Sequence, residues 1–145
     1  MVYENALEIS PDQAVLLNSA AWIIAAYDEP PVRDLARALA FAEKATKRTP
    51  DSQAYWNTLG VIQYRCGEWE KALGSFRKSV TLPSGENCFN WLFLAMTEFQ
   101  LGEHETASQW HQKAVRELER APTQDKELIR FRIEADAMLG ENSID

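Results

Sequence analysis

The chain has 145 residues, the length of one ordinary domain, and its 46% apolar and 26% charged side chains exclude a disordered polyelectrolyte. With 22 acidic against 15 basic residues the formal charge is -7, a surface that repels phosphate and argues against a nucleic-acid partner. No Lys/Arg run suits a membrane surface, and the longest apolar stretch, Ala20 to Ala26, falls far short of the ~20 residues of a membrane helix. The start, Met1 to Glu4, lacks a basic segment followed by an apolar one, so the expected setting is the cytoplasm.

One spacing organises the whole chain, which reads as a single domain over 1–145. Trp56, Leu59, Gly60, Gly67 and Ala72 are followed 35 residues later by Trp91, Leu94, Ala95, Gly102 and Ala107. Recurrence at this length marks stacked supersecondary units. In chain order, Tyr3, Ala6 and Pro11 repeat the spacing of Phe76, Ser79 and, nearly, Pro83, so 2–10 read as the second helix of a partial unit. Residues 12–50 form a first unit. Its Ala38 and Ala45 stand 34 positions before Ala72 and Ser79, and its Asn18 to Ala21 match Asn57 to Gly60. The register between those two matches requires a five-residue insertion around Asp28 to Val32, where Pro30 and Pro31 forbid a helix.

The second unit, 51–85, is the clearest. Trp56, Leu59, Ile62 and Tyr64 fall at helical spacing, and Gly67 permits the left-handed residue that ends a helix. Trp69, Ala72, Leu73, Phe76 and Val80 begin a second stripe, closed by Pro83 to Gly85. Gly60 and Ala72 lack bulk where the two helices approach, with Trp56 and Phe76 beside them. The third unit, 86–119, has Ala95 in place of the glycine, and places His104 and His111 at sites expected to be aromatic. Trp56, Trp69, Trp91, Trp110 and Phe76 are expected in the core. A last helix, within 123–140, starts at Thr123 or Asp125 and ends at Gly140. Leu128, Phe131, Ala135 and Leu139 make its apolar stripe, with Ile129 and Ile133 alongside; Glu127, Arg130 and Glu134 on the other side suggest a solvating cap for the stack.

Trp56, Leu59, Gly60, Tyr64, Gly67, Trp69, Ala72, Phe76 and Pro83 together resemble the tetratricopeptide repeat signature. The sequence departs from it at Ser79, where the family usually has Ala, and at Pro83, one residue early. The likeness covers about residues 1–119. It implies an all-α fold, a right-handed superhelical stack of antiparallel helix hairpins, here ending in the capping helix. It also implies a protein-protein interaction module that holds a peptide or helical segment of a partner in a concave groove, with no cofactor and no catalysis. The first helix of each pair lines that groove in the family. This places Asn18 and Trp22 there from the first unit, Asn57, Val61, Tyr64 and Arg65 from the second, and Leu92, Met96, Phe99 and Gln100 from the third.

Only Arg65 is cationic among these, so the carboxylate clamp of chaperone-binding members is not expected. Tyr64, Met96 and Phe99 suit an apolar anchor, and Asn18 and Asn57 are placed to bond a peptide backbone. For Trp22, Tyr64 and Phe99 the competing reading is packing within or between units, and for Arg65 simple solvation beside the Gly67 turn. Asn18, Trp22, Tyr55 to Gly60 and Trp91 to Met96 also look like repeat tails on large bacterial Ser/Thr protein kinases, which would imply a docking tail.

The residues offer little chemistry. His104 and His111 share a helix face, but no Cys or carboxylate pair completes a metal site, so both read as packing residues. Cys66 and Cys88 sit at opposite ends of equivalent helices, a separation on the order of 20 Å, too far for a disulfide. Glu68, Glu70, Glu103 and Glu105 are first-turn charges that favour the helix dipole. The alternative to a groove binder is a structural domain. It would pack on other parts of a larger protein, or form a homodimer through an open N-terminal end where Ala6, Leu7 and Ile9 lack a covering helix.

Overall fold

A computed structural model describes residues 13–25 and 32–140. The expected half unit at 2–10 and most of the expected insertion, 28–31, lie outside the described residues. Within the described residues seven α-helices follow one another: α1 (Ala14–Ala25), α2 (Val32–Arg48), α3 (Gln53–Arg65), α4 (Trp69–Thr81), α5 (Cys88–Gln100), α6 (His104–Arg120) and α7 (Lys126–Ala135). The last continues as a π-helical turn, Asp136–Gly140.

Local chemistry sets the boundaries. Ser52, Asn87 and Asp125 cap α3, α5 and α7 by accepting from the backbone N–H of Tyr55, Asn90 and Leu128. Thr123, the other candidate cap, instead accepts from the N–H of Asp125 at 3.1 Å. The turns inside the second and third hairpins are copies of one another. Gly67 (φ 78°) and Gly102 (φ 85°) take the left-handed conformation. The following Glu68 and Glu103 donate their N–H to Gln63 and Glu98 carbonyls at 2.9 Å, closing the preceding helix.

The helices pair as α1/α2, α3/α4 and α5/α6, and each hairpin stacks on the one before, so α1, α3 and α5 lie side by side along one face. Gly60 explains the closeness of α3 and α4: a Cβ there would lie 2.6 Å from the Phe76 ring. Ser79, the departure from the repeat pattern, does a task alanine cannot. Its Oγ donates to the Gln53 carbonyl at 2.7 Å and accepts from Asn90 Nδ2 at 2.8 Å. It thereby ties α4 to α3 and to α5 in the next unit. Asn90 also donates to the Gly85 carbonyl and accepts from Asn57 Nδ2, both at 2.8 Å, so the buried network spans two units.

Phe76 and Trp91 are buried as expected, whereas Trp56, Trp69 and Trp110 are only partly covered and pack around the core. Trp56 keeps its indole N–H at the surface, where it donates to the Pro50 carbonyl at 2.7 Å. The core thickens along the chain. The first hairpin buries mainly alanines, at 21, 25, 38 and 42, while α5 buries Leu92, Phe93, Leu94 and Met96.

Candidate protein-binding groove

The face made by α1, α3 and α5, the first helices of the three hairpins, is the candidate groove and is termed the concave face. At its C-terminal end the packing pattern changes. α3 and α5 each pack against the second helix of the preceding hairpin as well as its first. α7 packs on α5 and meets α6 through Arg132 and Glu119 at 3.9 Å, and the π turn after it also packs on α6. The last helix is thus set toward the groove.

Its position follows from α5, which is buried from Asn90 through Glu98 and needs cover on nearly every side. Phe131 of α7 is completely buried, with edge contacts to Trp22 (centroids 6.0 Å apart), Phe89 (5.9 Å) and Phe93 (4.8 Å). Those partners come from α1 and α5, so this one ring bridges the concave face. One turn on, Glu134 receives both terminal nitrogens of Arg65 at 2.6 and 2.9 Å, a bidentate pair. The Arg65 side chain is only 8% exposed and its guanidinium lies 5.8 Å from the Phe93 ring centroid. Tyr64 donates its hydroxyl to Met138 Sδ at 3.9 Å and accepts from Gln100 at 3.4 Å. Burial raises the Tyr64 hydroxyl above its usual 10.0; the Gln100 hydrogen bond works against this, Glu134 adds to it, and Arg65 opposes it. Asp136 anchors the π turn to His111 of α6 at 2.7 Å.

Glu134, read from sequence as part of a solvated face, therefore lies in the groove, and Arg65 is not free in solvent. The stripe Leu128, Phe131, Ala135 and Leu139 is buried, while Ile129 and Ile133 are 41% and 63% exposed.

The N-terminal half of the concave face is open. An opening of about 280 Å³ is lined by Asn18 and Trp22 of α1, Gln53, Ala54, Asn57 and Thr58 of α3, and Asn87 and Phe89 at the start of α5. Asn18 Oδ1 is buried there without a hydrogen-bond partner. Asn57 is committed inward, its Nδ2 bonded to Asn90. Among the residues expected in the groove, Asn18, Trp22 and Asn57 border this opening, while Tyr64, Arg65 and Gln100 meet at the filled end. Val61, Leu92 and Met96 have no exposed surface. Phe99 is half-buried, with its ring edge-on to His104 at 4.6 Å.

Two groove residues escaped the sequence reading, Phe89 and Phe93. Their counterparts one unit earlier are Ala54 and Thr58, so unit-to-unit matching carried no signal for them. The signal lay within α5 itself, whose apolar residues run round the whole helix.

Among the described residues no group of His, Cys, Asp and Glu could hold a metal ion, and no helix is long and apolar enough to cross a membrane. Cys66 is exposed and Cys88 buried, both free. Partial burial raises both thiols above their usual 9.0, helped by Glu68 and Glu117 respectively.

No protein-family model matches the sequence, and no curated protein matches it. Solved structures do match. YrrB, a TPR protein with an unusual peptide-binding site, superposes with a TM-score of 0.66 at 20% identity, over 99% of this chain and 69% of its own. The Sgt2 TPR domain from Aspergillus fumigatus gives 0.66 at 16% identity, over 91% and 82%. A thermophilic TPR protein in Thermus thermophilus gives 0.65 at 20% identity, over 94% and 69%. The chain has the tetratricopeptide-repeat fold. In a stack of hairpins only the terminal ones leave an uncovered end, and here α7 packs on α5 at the last one. Here the last helix also packs across the face made by α1, α3 and α5, with Phe131 against Trp22, Phe89 and Phe93.

Proposed function

We propose that the chain is a non-catalytic protein-interaction module that holds a peptide segment of a partner protein in the open half of its concave groove. The supporting observation is the 280 Å³ opening bordered by Asn18, Trp22, Asn57 and Phe89. Aromatic walls with a few amide groups suit an extended segment, whose side chains meet the rings and whose backbone N–H groups meet side-chain carbonyls. Asn18, whose Oδ1 is buried without a partner, has such an acceptor to turn toward the segment. YrrB, a TPR protein with an unusual peptide-binding site, agrees with this use of the fold.

The test is capture from the native lysate with the full chain as bait, beside an Ala54→Arg variant. Ala54 is exposed and borders the opening, so the arginine obstructs it without touching the core. A partner held by the parent and lost by the folded variant supports the groove. A partner held equally by both places the contact elsewhere. A second reading, self-association, draws on the exposed Ile129 and Ile133. It gains if the parent captures nothing and light scattering gives a dimer that Ile133→Glu dissolves.

A further inference from the structure

The filled half of the groove has the chemistry of a helix-binding site, and its present occupant specifies the ligand. The C-terminal segment enters it through one side, with an aromatic ring at 131 and a carboxylate at 134 on α7 and a thioether at 138 on the π turn. These meet the Trp22, Phe89 and Phe93 rings, the Arg65 guanidinium and the Tyr64 hydroxyl in turn. Spacing i, i+3, i+7 is that of an amphipathic helix laid in a groove.

Two further observations mark the occupant as replaceable. First, α7 has somewhere else to go. Between it and α6 lies a cleft of about 270 Å³ walled by Leu118 and Pro122 on one side and Leu128, Ile129 and Ile133 on the other. A swing toward α6 would bury the two exposed isoleucines, which offsets part of what leaving the groove costs. Second, α7 serves its site incompletely. Arg65 Nε is buried with no acceptor, although both terminal nitrogens of that guanidinium donate to Glu134. A ligand with a second acceptor beside its carboxylate satisfies an atom that α7 leaves bare, and a buried unmet donor is costly.

We infer that this surface is a docking site for an amphipathic helix of a partner protein. That helix carries an aromatic residue, a carboxylate three positions on and an apolar or thioether residue four beyond it, and it binds by displacing α7. The inference rests on the groove-binding reading above but concerns the other half of the face.

The test uses a fluorescein-labelled peptide of residues 125–140, added to the full chain and followed by anisotropy. Glu134→Lys in the full chain breaks the pair with Arg65 and loosens α7. This variant should bind the peptide at least ~10-fold more tightly than the parent does, a difference of about 1.4 kcal/mol. A peptide bearing Phe131→Ala should bind neither. In the parent, saturating peptide should speed amide exchange across α7 while α5 stays protected, a readout that stands even if Glu134→Lys fails to fold. Equal binding to parent and variant with α7 protection unchanged overturns the proposal, as does no binding at millimolar peptide with exchange unaltered. Ala54→Arg separates the two readings, because it obstructs only the open half. If the peptide fails while a captured partner is lost with Ala54→Arg, the helix site falls and the groove reading stands.

Discussion

The two halves of the concave face are made from the same three helices and meet opposite conditions. At the C-terminal half, rings from α1 and α5 and the guanidinium of α3 are covered by α7, and the one cation is buried against a carboxylate. At the N-terminal half, amides and the outer faces of Trp22 and Phe89 border open space, and Asn18 Oδ1 has no partner. The contrast separates two uses of a surface. Groups that are covered contribute to folding, and groups that border open space hold their interaction in reserve for a ligand.

Substitutions should divide along that line. The largest effect is expected from Phe131→Ala, which removes the ring that bridges the filled half; urea unfolding should show a loss of about 3–5 kcal/mol. A loss under about 1 kcal/mol would mean that α7 is not seated as described. Next comes the Arg65–Glu134 pair, where exposure misleads. Glu134 is the more exposed partner, at 28%, yet Glu134→Ala should cost more than Arg65→Met, roughly 2–3 against 1 kcal/mol. The reason is that it strands a buried cation, whereas a lone Glu134 can turn to water. The opposite ranking would place Arg65 in solvent.

Ser79→Ala restores the residue usual in the repeat but leaves Asn90 short of an acceptor and the Gln53 carbonyl short of a donor. The expected loss is about 1–2 kcal/mol by denaturant melt, and a neutral result would show that water replaces the hydroxyl. The smallest effect belongs to the open half. Asn18→Ala removes an unmet buried acceptor, so stability should change by no more than about 0.5 kcal/mol, while partner binding falls. A large destabilisation there would erase the distinction between the halves.

The hairpins could be read from the sequence because they depend on short-range rules. Gly67 and Gly102 sit where left-handed residues close helices, and the stripe Leu128, Phe131, Ala135 and Leu139 is a helical period with one buried side. The direction in which that stripe is buried is a tertiary matter. Its periodicity is the same whether α7 lies over α6 or leans into the groove, so Glu134 was assigned to solvent from a pattern that does not contain its partner. Arg65 and Glu134 are 69 positions apart, beyond any repeat spacing. Likewise the repeat resemblance puts Val61, Leu92 and Met96 on the groove, whereas in this stack they are enclosed.

The link between α6 and α7 spans only 121–125 and includes Pro122. A tether so short keeps its helix at an effective concentration on the order of millimolar. A helical competitor present at micromolar concentration must therefore exceed the intrinsic affinity of α7 by about a thousandfold before it holds the site half the time. A partner that also engages the open half escapes that handicap, since its second contact is then tethered as well. The short link thus works as a threshold, rejecting single weak helices and admitting ligands that grip both halves at once.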